Sequence, residues 1–115
     1  MPLLKLETNV ALSADRQQSV LSSLSQIVAQ TIGKPEQYVM VSASHAALLM
    51  SGRPGDAALV EVRSIGGLNA DVNRNLARKV CDLLQQTLKI PPNRVYLNFT
   101  DVPAADWGWN GDTFG

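Results

Sequence analysis

Two stretches of this chain carry the same apolar pattern, displaced by 56 positions. Gln30-Thr31-Ile32 with Pro35 recurs as Gln86-Thr87-Leu88 with Pro91. The same displacement pairs Val20 with Leu76, Leu24 with Val80, Ile27 with Leu83 and Val28 with Leu84. It also pairs Leu4 with Val60, Leu6 with Val62 and Val41 with Leu97. Any two amphipathic helices can be slid into alignment. Strands and helices that agree at one shift are a stricter constraint, because a duplicated unit must bury the same faces twice.

In the first copy, Leu3 to Asn9 reads as a strand and Asn9 to Ser13 as a turn, with Ser13 placed to cap a helix. Val20, Leu24, Ile27, Val28 and Ile32 recur at helical spacing between Ala14 and Ile32. Gly33 and Pro35 stop that helix, and Val39 to Ser44 is β-rich. Ser51-Gly52-Arg53-Pro54-Gly55-Asp56 is a turn or loop. The second copy runs through a strand from Ala57 to Ser64, a break at Gly66 and Gly67, and a cap at Asn69. A helix striped by Val72, Leu76, Val80, Leu83, Leu84 and Leu88 follows, ended by Pro91 and Pro92. Arg94 to Thr100 is the last major strand.

Each half is thus a βαβ unit, residues 2–56 and 58–100, with a tail over 101–115. Two such units predict an α+β fold in one domain over residues 1–115, with a four-stranded mixed sheet and two helices on one face. Some strand residues are apolar in succession: Leu3 with Leu4, Val39 with Met40 and Val41, Leu59 with Val60. Strands buried on both faces read this way. Charged residues make up 17% of the chain, against roughly 25% in ordinary soluble domains. Both features predict that further copies cover the second face of the sheet.

Several function classes fall away. Ten basic and ten acidic residues give zero net charge, without the basic stripe that nucleic-acid phosphates require. No run of about 18 apolar residues exists to cross a membrane. One cysteine and one histidine cannot make an internal disulfide or a His-rich metal site, so neither metal nor cofactor is expected. The phosphate-loop, dinucleotide and zinc-protease motifs are absent. His45, in Ser44-His45-Ala46, and Cys81, beside Val80 in the second helix, read as structural residues. The opening MPLLKLETNV lacks the basic and apolar regions of a secretory signal, so the expected location is the cytoplasm.

The unusual residue is Pro2. Methionine aminopeptidases generally remove Met before a small second residue, so the mature chain is expected to begin at Pro2. Its nitrogen would then be a free secondary amine at the start of a strand. An unperturbed α-amine titrates near about 7.7–8.0. Burial or a nearby cation lowers that value. Such an amine would be largely neutral at pH 7 and could take a proton from carbon.

Met1-Pro2, Thr8-Asn9-Val10, Gly33-Lys34-Pro35 with Gln37-Tyr38, and Ser64-Ile65-Gly66 occur in order along the chain. Asn73-Arg74, Arg94-Val95-Tyr96 with Asn98, Asp101, and Gly108-Trp109-Asn110 with Thr113-Phe114 complete the set. Together they resemble the macrophage migration inhibitory factor family of the tautomerase superfamily. The resemblance implies a homotrimer whose sheets line a central barrel, with active sites between neighbouring subunits. It implies cofactor-independent keto–enol tautomerisation of phenylpyruvate-like acids, or in some members of D-dopachrome derivatives. The substrate would be a small α-keto acid or its enol.

By the same resemblance Pro2 is the general base, and Lys34 pairs with the substrate carboxylate and helps keep the amine neutral. Ile65 contributes a backbone contact. Tyr96 and Asn98, two apart on a strand and so on one face, reach the neighbouring subunit's pocket. Tyr38, Trp109 and Phe114 form an aromatic wall. Animal members also act as cytokine-like signals, which makes receptor binding, with export that needs no signal peptide, the alternative function. The chain departs from those members in three places. Ala57 and Val60 replace a Cys-x-x-Cys linked to thiol exchange. Trp107 replaces a small aliphatic residue near the pocket mouth. Gly66-Gly67-Leu68-Asn69 replaces a longer glycine-rich turn.

Overall fold

The computed structural model describes all residues, Met1–Gly115. The main elements follow the duplicated pattern: β1 (Pro2–Thr8), α1 (Ala14–Ile32), β2 (Met40–His45), β3 (Ala58–Ser64), α2 (Ala70–Leu88) and β4 (Val95–Asp101). A short hairpin, β5 (Gly108–Trp109) and β6 (Asp112–Thr113), ends the chain. Single 3-10 turns at Glu36–Tyr38, Pro92–Arg94 and Ala104–Asp106 lead into β2, β4 and β5.

The sheet order is β2-β1-β3-β4. β1 pairs with β2 in parallel, with Leu4 opposite Val41. β3 pairs with β4 in parallel, with Val60 opposite Leu97. Adding 56 to the first pairing gives the second, so both units share one register. β1 and β3 run antiparallel at the centre, with Lys5 opposite Glu61. Those two residues are themselves related by the same shift, which places the internal two-fold axis between them.

The helices are built alike. Ser13 Oγ accepts from the Arg16 N–H at 3.3 Å, and Asn69 Oδ1 accepts from the Val72 N–H at 2.9 Å. Each cap satisfies an amide that the first turn of a helix leaves without a partner. At the other ends Gly33 (φ 79) and Lys89 (φ 60) both take the left-handed conformation that terminates a helix. Val20, Leu24, Val28 and Ile32 on α1 are buried, as are Leu76, Val80, Leu84 and Leu88 on α2. They pack on Leu4, Leu6, Val60 and Val62 of the central strands to form the core. Burial of each such side chain contributes about 1.5–3 kcal/mol.

The opposite face of the sheet is not uniformly apolar. Leu3, Met40, Leu59 and Tyr96 sit toward its two ends, but Lys5, Ser42, Glu61 and Asn98 form the row between. The apolar doublets in the sequence therefore mark the ends of the sheet, while charged and polar residues occupy the middle, where Glu61 pairs with Arg63 of the same strand at 3.3 Å.

Candidate active site

The start of β1 opens into a cavity of about 810 Å³. Pro2, Leu3, Val39, Met40, Val102, Tyr38, Trp107 and Trp109 give it apolar and aromatic walls, and Gln37, Arg63 and Asp106 add polar groups. β1 delivers Met1 and Pro2, the turn ahead of β2 delivers Tyr38, and the C-terminal hairpin delivers Trp109. Burial, and after it the charge of Lys34, hold the Met1 α-amine below its ordinary value of 8.0. Pro2 is more deeply buried than Met1. Removing Met1 uncovers part of Pro2, and the burial that remains disfavours the charged form of its amine.

The Ser64–Gly67 turn lies beside the chain start, where the Ile65 N–H meets the Met1 carbonyl. Gly66 (φ 69) and Gly67 (φ 80) are both left-handed. A Cβ on Gly67 would stand 2.8 Å from Ile32 Cγ2 and 3.4 Å from Lys34 Cε. Glycine there lets the turn press against the end of α1 and lets Lys34 run beside it toward the chain start. The Ile65 N–H donates to the Met1 carbonyl at 3.4 Å. Removing Met1 would therefore free two groups together, the Pro2 nitrogen and the Ile65 N–H.

Among the residues singled out from the sequence, Pro2, Tyr38 and Trp109 line this cavity. Lys34 and Ile65 do not line it but lie beside the chain start, Lys34 acting on the Met1 amine through its charge and Ile65 bonding the Met1 carbonyl through its N–H. Phe114 lies behind the wall, its ring stacked on Trp109 at 6.1 Å between centroids. Its N–H donates to the Trp107 carbonyl at 3.1 Å, which ties the tail to the cavity mouth. Tyr96 and Asn98 do not join them within one chain. Tyr96 is 66% exposed and lines a second cavity of about 240 Å³, with Leu48, Leu49, Met50, Ala57, Ala58 and Leu59.

Arg63, Asp106 and Val102 are cavity residues that the sequence did not single out. Arg63 could have been found from strand register, since it stands opposite Leu3 on β1. Arg94 is structural. Its guanidinium donates to the carbonyls of Met50, Arg53, Gly55 and Asp56 and fixes the loop ahead of β3. His45 ends β2. Cys81 packs against the core, where burial and then Asp82 push its thiol above the ordinary value. A thiol so placed is little ionised and a weak nucleophile. No three His, Cys, Asp or Glu side chains converge to hold a metal ion, and no helix is long and apolar enough to cross a membrane.

Solved proteins share this sheet and its helices. A macrophage migration inhibitory factor homologue from Prochlorococcus marinus matches with a TM-score of 0.93 at 41% identity, over 98% of this chain and 99% of that one. The corresponding protein of Toxoplasma gondii matches with a TM-score of 0.94 at 29% identity, over 97% and 99%. The rat macrophage migration inhibitory factor is 42% identical over 115 residues, 99% of each chain. The fold is that of the tautomerase superfamily. Within it, the chain belongs to the macrophage migration inhibitory factor family, whose model matches residues 1–115.

Proposed function

We propose that this protein is a cofactor-independent keto–enol tautomerase of phenylpyruvate-like acids, with the Pro2 amine of the processed chain as base. The observation that supports the reading is the setting of the chain start: the Met1 α-amine is held below its ordinary value by burial and then by Lys34, at an aromatic-walled cavity that Pro2 also lines. In the keto-to-enol direction, Pro2 N takes a proton from the carbon alpha to the ketone. The C–H electron pair forms the C=C bond, and the carbonyl π pair moves onto oxygen. The resulting ammonium returns its proton to that oxygen, and the nitrogen is again neutral. Lys34 offers its ammonium to the substrate carboxylate. The Ile65 N–H, relieved of the Met1 carbonyl, offers a hydrogen bond to a substrate oxygen. Donors fixed before the charge develops are the most effective kind. Tyr38 and Trp109, with Phe114 backing the latter, suit an aryl ring.

The working unit of this reading is a homotrimer in which Tyr96 and Asn98 complete a neighbour's cavity. Its support is the exposure of Met40, Leu49 and Tyr96 at 67%, 69% and 66%. Met40 and Tyr96 lie on the two edge strands of the sheet. In the trimer the open faces of the sheets line a central barrel.

The test couples intact-mass analysis of the N-terminus to a phenylpyruvate tautomerase assay. Protein lacking Met1 should turn over substrate, and Pro2→Gly should lower the rate by about 10²–10⁴-fold. Full rate in Pro2→Gly, or in protein that retains Met1, would overturn the mechanism.

A further inference from the structure

The internal repeat shows what is special about the turn beside the chain start. Shifted by 56, the Ser64–Gly67 turn corresponds to the stretch that begins at Thr8, and the two ends share one bond in detail. The Val102 N–H donates to the Ser64 carbonyl at 2.9 Å, and the Ala46 N–H donates to the Thr8 carbonyl at 2.9 Å. Beyond that bond the two ends part.

At the second cavity one hydroxyl serves two backbone groups. Thr8 Oγ1 donates to the Ala57 carbonyl, the counterpart of the Met1 carbonyl, at 2.8 Å. The same oxygen accepts from the Val10 N–H, the counterpart of the Gly66 N–H, at 3.1 Å. At the first cavity these two roles are divided. The Ser64 hydroxyl turns instead to the Gly66 carbonyl at 2.7 Å. The Gly66 N–H goes to Asp101 Oδ1 at 2.9 Å. The Met1 carbonyl is left to the Ile65 N–H. A carboxylate from β4 has thus taken over an amide that a local hydroxyl serves elsewhere, and the backbone N–H between the two ties now faces the chain start.

We infer that Asp101 is a positioning residue for the reaction. By holding the Gly66 amide it fixes the Ile65–Gly66 peptide, while the Val102 N–H holds the Ser64 carbonyl of the peptide before it; with both neighbours of Ile65 Cα tied, the Ile65 N–H is set to meet an anionic substrate oxygen, the carboxylate of an α-keto acid, beside Pro2. The inference rests on the tautomerase reading above. A hydrogen bond from a backbone amide to a carboxylate is among the stronger kinds, and it is the tie that holds the Gly66 N–H, while the Ser64 hydroxyl holds only the Gly66 carbonyl.

The experiment compares processed wild type, Asp101→Ala and Asp101→Asn. Asparagine keeps an Oδ1 acceptor for the Gly66 N–H and loses the charge. Asp101→Ala should raise KM for phenylpyruvate at least tenfold, with a smaller change in kcat. It should also speed amide exchange at Ile65 and Gly66. Asp101→Asn should return KM to within about threefold of wild type. An unchanged KM in Asp101→Ala overturns the inference, even where its thermal stability falls, since a purely structural tie would move stability alone. Equal damage in Asp101→Asn overturns it too, because charge rather than position would then be the cause. A wild type with no turnover refutes the tautomerase reading instead. In that case equilibrium titration with phenylpyruvate, set beside the exchange rates, still judges Asp101: tighter binding by wild type and Asp101→Asn than by Asp101→Ala supports it, and equal binding by all three refutes it.

Discussion

The two cavities at opposite ends of the sheet are lined by equivalent positions. Met1, Pro2, Leu3 and Met40 of the larger become Ala57, Ala58, Leu59 and Tyr96 of the smaller on adding 56, and Asp106 and Trp107 become Met50 and Ser51 on subtracting it. Lys34, beside the first, corresponds to Ile90, which is fully buried in the core. The scaffold therefore places a hollow at each end from equivalent positions, about 810 and 240 Å³, and in the proposed mechanism only the first carries chemistry. The decisive difference is covalent. The nitrogen of Ala58 belongs to a peptide bond and is not basic, whereas the nitrogen of Pro2 becomes an amine once Met1 leaves. In the proposed mechanism, catalytic power comes from where the chain begins and from one cation. The strand and helix geometry is common to both ends.

The largest effect should come from making the first cavity resemble the second in that respect. Inserting Ala between Met1 and Pro2 leaves Pro2 inside a peptide bond after processing. Tautomerase turnover should fall by about 10²–10⁴-fold, the usual contribution of a general base, while the fold is kept. Steady-state kinetics beside circular dichroism reads both. A protein that kept its rate would show that the chain start is not the base.

A second, smaller step is Lys34→Ile, which copies Ile90 into the first cavity. Lys34 is the lesser of the two causes, after burial, that lower the Met1 α-amine pKa, and the proposed mechanism gives it the same influence on the Pro2 amine. Removing it should raise that pKa only part of the way back to its ordinary value. Free base exists above the pKa, so the rising limb of kcat/KM against pH should move to higher pH. Activity should fall several-fold on the acid side of the limb and less on the alkaline side, apart from a pH-independent rise in KM if the carboxylate contact is lost. A limb that stays in place, or moves toward acid, would remove Lys34 from the electrostatic argument.

How far these features can be read from the sequence follows from how local each one is. The helices, their caps and the paired registers are legible because Ser13 and Asn69, Gly33, and the Val20 and Leu76 stripes are short-range signals repeated at one offset. Pro2, Tyr38 and Trp109 are candidate site residues through the family resemblance, and the three line one cavity. The C-terminal hairpin escapes an argument built on periodicity, although Asn110-Gly111 (φ 54 and 79) is a strong two-residue hairpin signal. Asp106 and Val102 reach the cavity through a tail whose path is set by tertiary contacts such as Phe114 on Trp109. The four carbonyl bonds of Arg94 cannot be read at all, because a loop without periodicity supplies every acceptor. The proposed roles of Tyr96 and Asn98 need a second copy, which no pattern within one chain can position.

The smallest effects test the other side of the comparison, the claim that the scaffold itself is symmetric. Ser13 and Asn69 are equivalent caps at 3.3 and 2.9 Å, and both are exposed. Replacing either with alanine should cost about 0.5–2 kcal/mol in urea unfolding, as lost caps usually do. The two costs should be similar, with Asn69 the larger because its hydrogen bond is shorter. Neither change should alter tautomerase kinetics by more than about twofold, since each cap acts on the stability of a whole helix and leaves the cavity walls in place. If Ser13→Ala lowered turnover sharply and Asn69→Ala did not, the end of α1 that carries Lys34 would depend on the start of that helix. The symmetric scaffold would then be coupled to the site on one side only, and the separation of shared frame from local chemistry would fail.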